Sequence, residues 1–470
     1  MKGPAHIDIT DDLLERIGSI ADRESIEVYV VGGYVRDLLM GRTVKDIDLV
    51  VIGRGVEFAR LVARELDRTN LVVFEKFGTA ALHLERCKLE FVGARKESYN
   101  KASRKPVVEG GTLEDDLARR DFTVNALAAS INAGSWGSLV DPFGGVADLH
   151  RRILRTPLDP RATFDDDPLR MMRAMRFAAQ LNFEIEPAVL DASRDMKERL
   201  SIVSQERITD ELLKLLSSSK PSIGLRLMQS TGVMGFVFPE VADLSGVEQR
   251  EEYHHKDVFF HTLQVLDNVS DLSENLWLRM AALLHDIAKP KTKAFEPGTG
   301  WMFHGHEEAG ARMVRPIFRR MKFPLDHLSY VEKLVRLHLR PMALVDEMVT
   351  DSAVRRLLFE AGEDVDDLML LCRADITSKN PRLVSQVRAN YDRVVEKMEE
   401  VEEKDRIRNW QPPLRGDEIM KICGIEPGPT VGRLKQAITD AILDGIIPND
   451  HESALAYLLK IKDEILRNGS

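Results

Sequence analysis

Cysteine is scarce: Cys87, Cys372 and Cys423 lie far apart in 470 residues and form no CxxC pair. A reducing, cytoplasmic setting is therefore expected. No uninterrupted apolar run approaches the length that spans a bilayer, so no membrane partner is expected. The first 25 residues carry Asp8, Asp11, Asp12, Glu15 and Asp22 in place of a basic segment and an apolar run, so no signal peptide is expected. A basic surplus is also missing. The formal net charge of −10 weighs against a protein that coats nucleic acid non-specifically, because such binding rests on many Lys and Arg contacts to phosphate. It leaves room for an enzyme that grips one RNA along a local basic track. A hydrophobic content of 44% and a charged content of 30% are those of a globular protein, and the length calls for more than one domain.

Residues 1–150 alternate between strand and helix patterns. Strands are expected at 27–31, 47–52, 71–74, 80–85, 89–92 and 139–141, the last running into the turn Pro142-Phe143-Gly144-Gly145. From Asp167 onward nearly every segment has apolar residues at three- and four-residue spacing, punctuated by Pro160, Pro187, Pro221, Pro239, Pro290, Pro324, Pro341 and Pro381. The fold class expected is α+β, a mixed sheet with helices followed by an extended all-α body. The glutamate-rich stretch 399–405 reads as a hinge or a solvated helix end. No internal repeat or long low-complexity segment is present.

The most informative segment is Val30-Val31-Gly32-Gly33-Tyr34-Val35-Arg36-Asp37, followed by Lys45-Asp46-Ile47-Asp48-Leu49-Val50. Side chains alternate faces on a strand, so Asp46 and Asp48 point one way and Ile47 and Leu49 face the core. Two adjacent carboxylates repel unless a cation lies between them, and Mg2+ held by carboxylates and substrate phosphates answers that need. Gly32 and Gly33 let a triphosphate approach the N–H groups of a helix start, and Arg36 adds a charged contact one turn on. A surface strand with two solvated aspartates would explain Asp-x-Asp alone, but not the glycine pair, Arg36 and the strand–helix–strand order together.

The string from Val31 to Val51 resembles the nucleotidyltransferase motif of the class II tRNA nucleotidyltransferases and bacterial poly(A) polymerases. Four further strings, in order, are similar to that family's later motifs. They are Arg119-Arg120-Asp121-Phe122-Thr123-Val124-Asn125-Ala126-Leu127, Asp141-Pro142-Phe143-Gly144-Gly145 with Asp148-Leu149, Asp166-Asp167-Pro168-Leu169-Arg170-Met171-Met172-Arg173-Ala174, and Ser204-Gln205-Glu206-Arg207-Ile208 with Glu211. The resemblance implies a palm-type head, with Asp46 and Asp48 as catalytic Mg2+ ligands. It also implies that Arg120 contacts the incoming nucleotide and that Asp121 and Asn125 hold the ribose region.

The fourth motif has a plain structural account in part: Asp167 as an N-cap, Pro168 at the first helical position and Arg170 in the first turn. Arg170, Arg173 and Arg176 on one face are left over, and unpaired positive charge near a helix start is mildly unfavourable. By resemblance Asp167 and Arg170 read the nucleobase, with Arg173 and Arg176 near the base or triphosphate. Cytosine and adenine both offer an exocyclic amino donor beside a ring-nitrogen acceptor, which a carboxylate and a guanidinium satisfy. Uracil reverses the pattern and leaves buried groups unpaired. Asp166 stands where many family members have Glu, which shortens its reach.

A second constellation is His261, His285-Asp286 and Asp375, with His285-Asp286 after the apolar helical segment 277–284. Imidazole and carboxylate together suit a divalent or transition metal, and a metal-activated water there could attack a phosphate ester. The order resembles the HD phosphohydrolase superfamily, and His304-Gly305-His306 and His338 fall where its fuller metal sets have further histidines. Lys289 is placed to steady a substrate phosphate. Isolated histidines near helix ends are ordinarily structural, but His261, His285, His306 and His338 are four of only 12 in the chain. In the tail, Gly428-Pro429-Thr430-Val431-Gly432-Arg433 reads as a helix start capped by Thr430, with RNA phosphate contact through Arg433 and Lys435 as the alternative.

These readings divide the chain into a nucleotidyltransferase head (1–150), a helical nucleobase- and RNA-binding neck (151–245), an HD metal-binding domain (246–395) and a helical tail (396–470). The resemblance implies template-independent addition of C, C and A to the 3′ end of tRNA from CTP and ATP, with Mg2+ in the head and a second divalent or transition metal in the HD domain. CC-only, A-only and poly(A) addition share the head motifs. The loop expected between residues 96 and 116, with Gly110-Gly111, favours full CCA addition. Another class of reading makes the HD domain the working part, a phosphohydrolase acting on RNA ends.

Overall fold

The computed structural model describes residues 6–467 apart from 45, 76–77, 99–106, 252–253, 298–299, 347–349, 379, 406–409 and 411. The chain forms two compact units, Met1–Pro239 and Glu240–Ser470.

The first unit is built on a seven-stranded sheet. Its strands are β1 (Val28–Val31), β2 (Asp46–Val51), β3 (Leu71–Phe74), β4 (Thr79–His83), β5 (Lys88–Gly93), β6 (Ala128–Ser130) and β7 (Leu139–Val140), in the order β3-β4-β5-β2-β1-β6-β7. The β2–β5 pair is parallel and the other pairs are antiparallel. The expected strands 27–31, 47–52, 71–74, 80–85, 89–92 and 139–141 all appear, within one or two residues at their ends. The short β6 is additional. Helices α1 (Asp12–Arg23), α2 (Gly33–Leu39) and α3 (Gly55–Glu65) belong to this head.

Alternation along the strands sorts residues between two faces. Ile47, Leu49 and Val51 join Leu14, Ile17, Phe58, Val62 and Phe91 in one core, and Val50 joins Val31, Ala126 and Ala128 in a smaller one opposite. Asp46 and Asp48 share the Val50 face and emerge at its edge. A hairpin of Arg95–Ser98 with Val107–Gly110 occupies part of the segment expected as a loop, and residues 99–106 lie outside the described residues. Next come α4 (Leu113–Ala118), α5 (Gly145–Arg151), α6 (Pro160–Asp166), α7 (Leu169–Leu181), α8 (Pro187–Met196) and α9 (Gln205–Leu216). Pro160, Pro187, Pro221 and Pro290 stand at first or second helical positions, where a missing N–H costs nothing.

The second unit is mostly helical, but two hairpins interrupt the expected helical run: Glu248–Glu251 with His254–Asp257, and Ala294–Glu296 with Gly300–Met302. The stretch 399–405 closes the 25-residue helix Pro381–Asp405, so it is a helix end and not a hinge. Thr430 is not a cap: the helix Pro429–Leu443 begins after Gly428, and the Thr430 hydroxyl accepts from Arg433 at 3.1 Å. Leu414, Ile419, Leu434, Ile438 and Leu458 form the core of the tail. No helix among the described residues is long and apolar enough to cross a membrane.

Candidate active site and metal centre

A cleft of about 810 Å³ opens in the first unit, and every head residue singled out in the sequence lines it. On the strand side stand Gly32, Gly33, Arg36, Asp46 and Asp48, and on the helix side Asp167, Arg170, Arg173 and Arg176, with Arg120, Asp121 and Asn125 also lining it. Gly32 has φ of +69°, a conformation that L side chains rarely adopt, so the turn before α2 favours glycine.

Asp46 is exposed and Asp48 half-buried, side by side on β2. Parallel pairing with β5 sets Glu90 in register with Asp48 and Lys88 with Asp46, and both line the cleft. Burial pushes the Asp48 carboxyl above its usual range. The Arg120 charge opposes that, while Glu90 and Asp46 push the same way. Arg120 does not fully offset burial and the neighbouring carboxylates, and a divalent cation between the carboxylates fits the donors present.

The arginines of α7 are not unpaired, which corrects the argument from helix charge. Arg173 donates to Asp121 at 2.6 and 2.8 Å and to Glu211 at 3.3 Å. Arg176 donates to Glu211 at 2.5 Å and to Gln180 at 2.6 Å, with its guanidinium 4.0 Å over Phe177. Arg170 donates to the carbonyls of Thr163 at 3.3 Å and Arg119 at 2.6 Å. Glu211 on α9 thus anchors two arginines, and its part was invisible in sequence because the partners are more than 30 residues away. Arg36 is similarly held: it donates to Asn125 at 2.6 Å and makes a two-point contact with Asp37 at 2.7 and 2.9 Å.

Asp121 accepts from Asn125 and from the Phe122 N–H as well as from Arg173. Burial alone would raise its carboxyl, but Arg173 and Asn125 outweigh it and hold it at about 2. Asp167 accepts from the Leu169 N–H at 3.2 Å, the cap expected of it, while Pro168 takes helical angles. Its other oxygen accepts from Arg207 at 2.6 Å. Arg207, Glu90, Arg119 and buried Asp116, which pairs with Arg119 and Arg120, were not singled out as site residues. Arg119 and Arg207 carried a sequence signal, their places in the second and fifth motifs; Glu90 and Asp116 carried none.

In the second unit, His261, His285, Asp286, His306, His338 and Asp375 converge from separate segments. His261 Nε2 lies 2.9 Å from Asp375, His285 Nε2 3.2 Å from Asp286 and His306 Nε2 3.3 Å from Asp286, with His338 Nε2 at 4.0 Å. Two triads, His261–His285–Asp286 and Asp286–His306–His338, share Asp286. His285, His306 and His338 each turn Nδ1 to a backbone carbonyl, of Ala282, Phe303 and Val335, at 2.7–2.8 Å. Their Nε2 atoms are buried without hydrogen-bond partners. With Nδ1 committed to a carbonyl, each of these rings when neutral presents its Nε2 lone pair inward, the arrangement of metal-ligating histidines. Burial works against a charged His285, but Asp286 and Asp375 override it and raise it to about 9; burial and the His285 charge push His338 down to about 3.

Lys289 does not stand alone for a phosphate: its ammonium donates to Asp286 at 2.7 Å. His304 is exposed, 3.6 Å from Glu296, and belongs to neither triad. His451 donates from Nε2 to Glu418 at 2.6 Å.

Family descriptions match three stretches of the chain: a poly A polymerase head domain over residues 28–155, a probable RNA and SrmB-binding site of polymerase A over 182–244, and an HD domain over 258–379. The chain is 35% identical to the A-adding tRNA nucleotidyltransferase of Deinococcus radiodurans over 75% of this chain and 80% of that protein. It is 34% identical to the multifunctional CCA protein of Nitrosococcus oceani over 76% and 86%. It is 32% identical to the CC-adding tRNA nucleotidyltransferase of Thermus thermophilus over 92% and 93%. A solved structure of the Bacillus stearothermophilus CCA-adding enzyme in complex with CTP superimposes with a TM-score of 0.64 over 97% of this chain and 98% of that one, at 22% identity, a likeness of fold.

Proposed function

We infer the function from a premise of family: the chain belongs to the tRNA nucleotidyltransferases built on a poly(A) polymerase head, and it adds C, C and A to the 3′ end of tRNA from CTP and ATP, releasing pyrophosphate. The observation that carries this reading is the single cleft that joins Asp46, Asp48 and the Gly32-Gly33 turn to the Asp167–Arg176 face. The relatives include A-adding, CC-adding and full CCA enzymes. We read this chain as completing all three positions because residues 96–116 keep a substantial segment between the first and second motifs.

Asp46 and Asp48, with Glu90 beside them, would hold a divalent metal ion, Mg2+ in this reading. That ion, when bound, supplies charge to neutralise the triphosphate and lower the cost of forming the RNA 3′-alkoxide. The protein's own groups position the reactants. Gly32 and Gly33 admit the triphosphate to the N-terminus of α2, and Arg120 meets it with charge. Asp121 and Asn125 receive the ribose region. Asp167 and Arg170 read the base edge, the carboxylate accepting from the exocyclic amino group and the guanidinium donating to the ring nitrogen. Arg207 and the Arg119 and Thr163 carbonyls hold those two readers in place when no base is bound. The RNA 3′-oxygen bonds to the α-phosphorus as the bond to the pyrophosphate oxygen breaks.

The four-part division into head, neck, HD domain and tail, with boundaries near residues 150, 245 and 395, is part of this proposal, as is action in the cytoplasm. The second centre is proposed to hold one or two divalent or transition metal ions on His261, His285, Asp286, Asp375, His306 and His338 and to hydrolyse phosphate esters at RNA ends. The test of the main reading is incubation of tRNA lacking its last three residues with labelled CTP and ATP and Mg2+. Incorporation of both is expected, and absence of both refutes it.

A further inference from the structure

Two arginines of the head cleft share one carboxylate that lies outside the five motif strings. Asp116, in the last turn of α4, is 0% exposed. Its Oδ1 accepts from Nε and Nη2 of Arg119. Its Oδ2 accepts from Nε and Nη2 of Arg120, at 3.3 and 3.1 Å. Spacings of three and four residues bring both guanidiniums to one face of the turn. Burial alone would raise the Asp116 carboxyl, but Arg120 and Arg119 hold it below its usual range. Both arginines line the cleft, while the carboxylate that grips them is sealed from solvent. The Arg120 guanidinium also lies against the bare Gly32 backbone, where the triphosphate is proposed to enter.

We propose that Asp116 is a positioning residue for nucleotide addition: it sets the Arg120 guanidinium at the triphosphate entry before the nucleotide arrives. The inference rests on reading the cleft as the nucleotidyltransferase site and names a residue that acts there without touching substrate. An arginine that must be ordered on binding costs affinity, and a two-point contact to a fixed carboxylate removes that cost in advance. Two of the five Arg120 N–H groups go to Asp116, and Nη1 reaches the Asn125 carbonyl only at 3.5 Å, so donors remain for phosphate. One carboxylate against two guanidiniums also leaves one positive charge for the triphosphate. A helix end held for stability alone gives little reason to bury this charge, since buried ion pairs add little over apolar packing.

The test uses the full-length protein with Mg2+ and no RNA, so that no addition occurs, and Asp116→Asn checked for folding by circular dichroism. Equilibrium dialysis gives Kd for labelled CTP and for CMP, which lacks the two outer phosphates. Asp116→Asn is expected to raise Kd for CTP about two- to tenfold, the worth of ordering one long side chain, and to leave CMP unchanged. The sign is informative, because deleting a negative charge would by itself tighten CTP. Tighter or unchanged CTP binding therefore overturns the proposal, and so does an equal loss for CTP and CMP, which a general distortion of the cleft would give. In an Arg120→Ala background the added Asp116→Asn change should cost CTP nothing further; losses that add overturn action through Arg120. If Asp116→Asn does not fold, Arg119→Gln is compared with Arg119→Gln/Asp116→Asn, a pair in which the local charge is rebalanced. Weaker CTP binding by the double variant, with CMP unchanged, supports the proposal, and any other result overturns it. If the wild type retains no CTP, the nucleotidyltransferase reading itself fails and takes the proposal with it.

Discussion

Replacing Asp121 by Asn removes one charge from the ion-pair network that orders the arginine face of the cleft. Asp121 is 6% exposed, receives two N–H groups from Arg173 and sits at about 2 against an ordinary 3.8. A carboxyl held that low contributes about 2 kcal/mol to folding at neutral pH, since each tenfold change in proton affinity is about 1.4 kcal/mol. The folded value is depressed, so this stability is present above the ordinary value and lost as pH falls toward 2. By pH 3 about half of it remains. Urea midpoints of the wild type and Asp121→Asn, followed by circular dichroism from pH 7 to pH 3, read the effect. The gap between the two proteins should be largest at pH 7 and shrink by about 1 kcal/mol by pH 3. Other titrating carboxylates are common to both proteins and cancel. A gap independent of pH would refute the reasoning, because it would assign the loss to shape and hydrogen bonding and not to the Asp121 charge.

Asp46→Ala or Asp48→Ala should abolish addition of both C and A while leaving the thermal unfolding midpoint essentially unchanged, since among the described residues neither side chain makes a hydrogen bond or ion pair; normal C addition by either folded variant contradicts a shared site. Asp167→Ala and Arg170→Ala should raise UTP or GTP incorporation relative to CTP and ATP, because one lost bidentate partner costs about 1–3 kcal/mol of discrimination; an equal fall in rate for all four triphosphates, read from single-nucleotide extension kinetics, removes them as base readers. Asp286→Ala should lower the metal content of the second unit by plasma emission analysis and end any phosphohydrolase activity, while addition to a tRNA with a free 3′-hydroxyl continues. Loss of that addition in a folded variant would mean that the two centres are coupled.

Much of the head was legible because alternation along β2 is a local rule: Ile47 and Leu49 are buried and Asp46 and Asp48 are not, as period-2 patterning requires. The convergence of Asp167, Arg170, Arg173 and Arg176 on the same cleft came from resemblance, since nothing local ties α7 to β2. What the sequence hid was pairing across distance. Glu90 stands beside Asp48 only through the parallel pairing of β2 with β5. Glu211 meets Arg173 and Arg176 only through the packing of α7 on α9, and without it the arginines looked uncompensated. In the second unit the histidine spacing showed a cluster, but not which members enter it; His306 does and His304, two residues earlier, does not. The Phe295–Trp301 hairpin went unread because two three-residue strands carry too short a pattern to separate from helix.

The central claim is that one cleft completes the whole CCA end. Three otherwise identical tRNAs, ending before the first C, after the first C and after the second C, are incubated with CTP, ATP and Mg2+, and their products are resolved at single-nucleotide length. All three are expected to converge on one product ending in CCA and to stop there. Products that stop at CC, extension of only the third tRNA, or a ladder of added A residues would contradict the account.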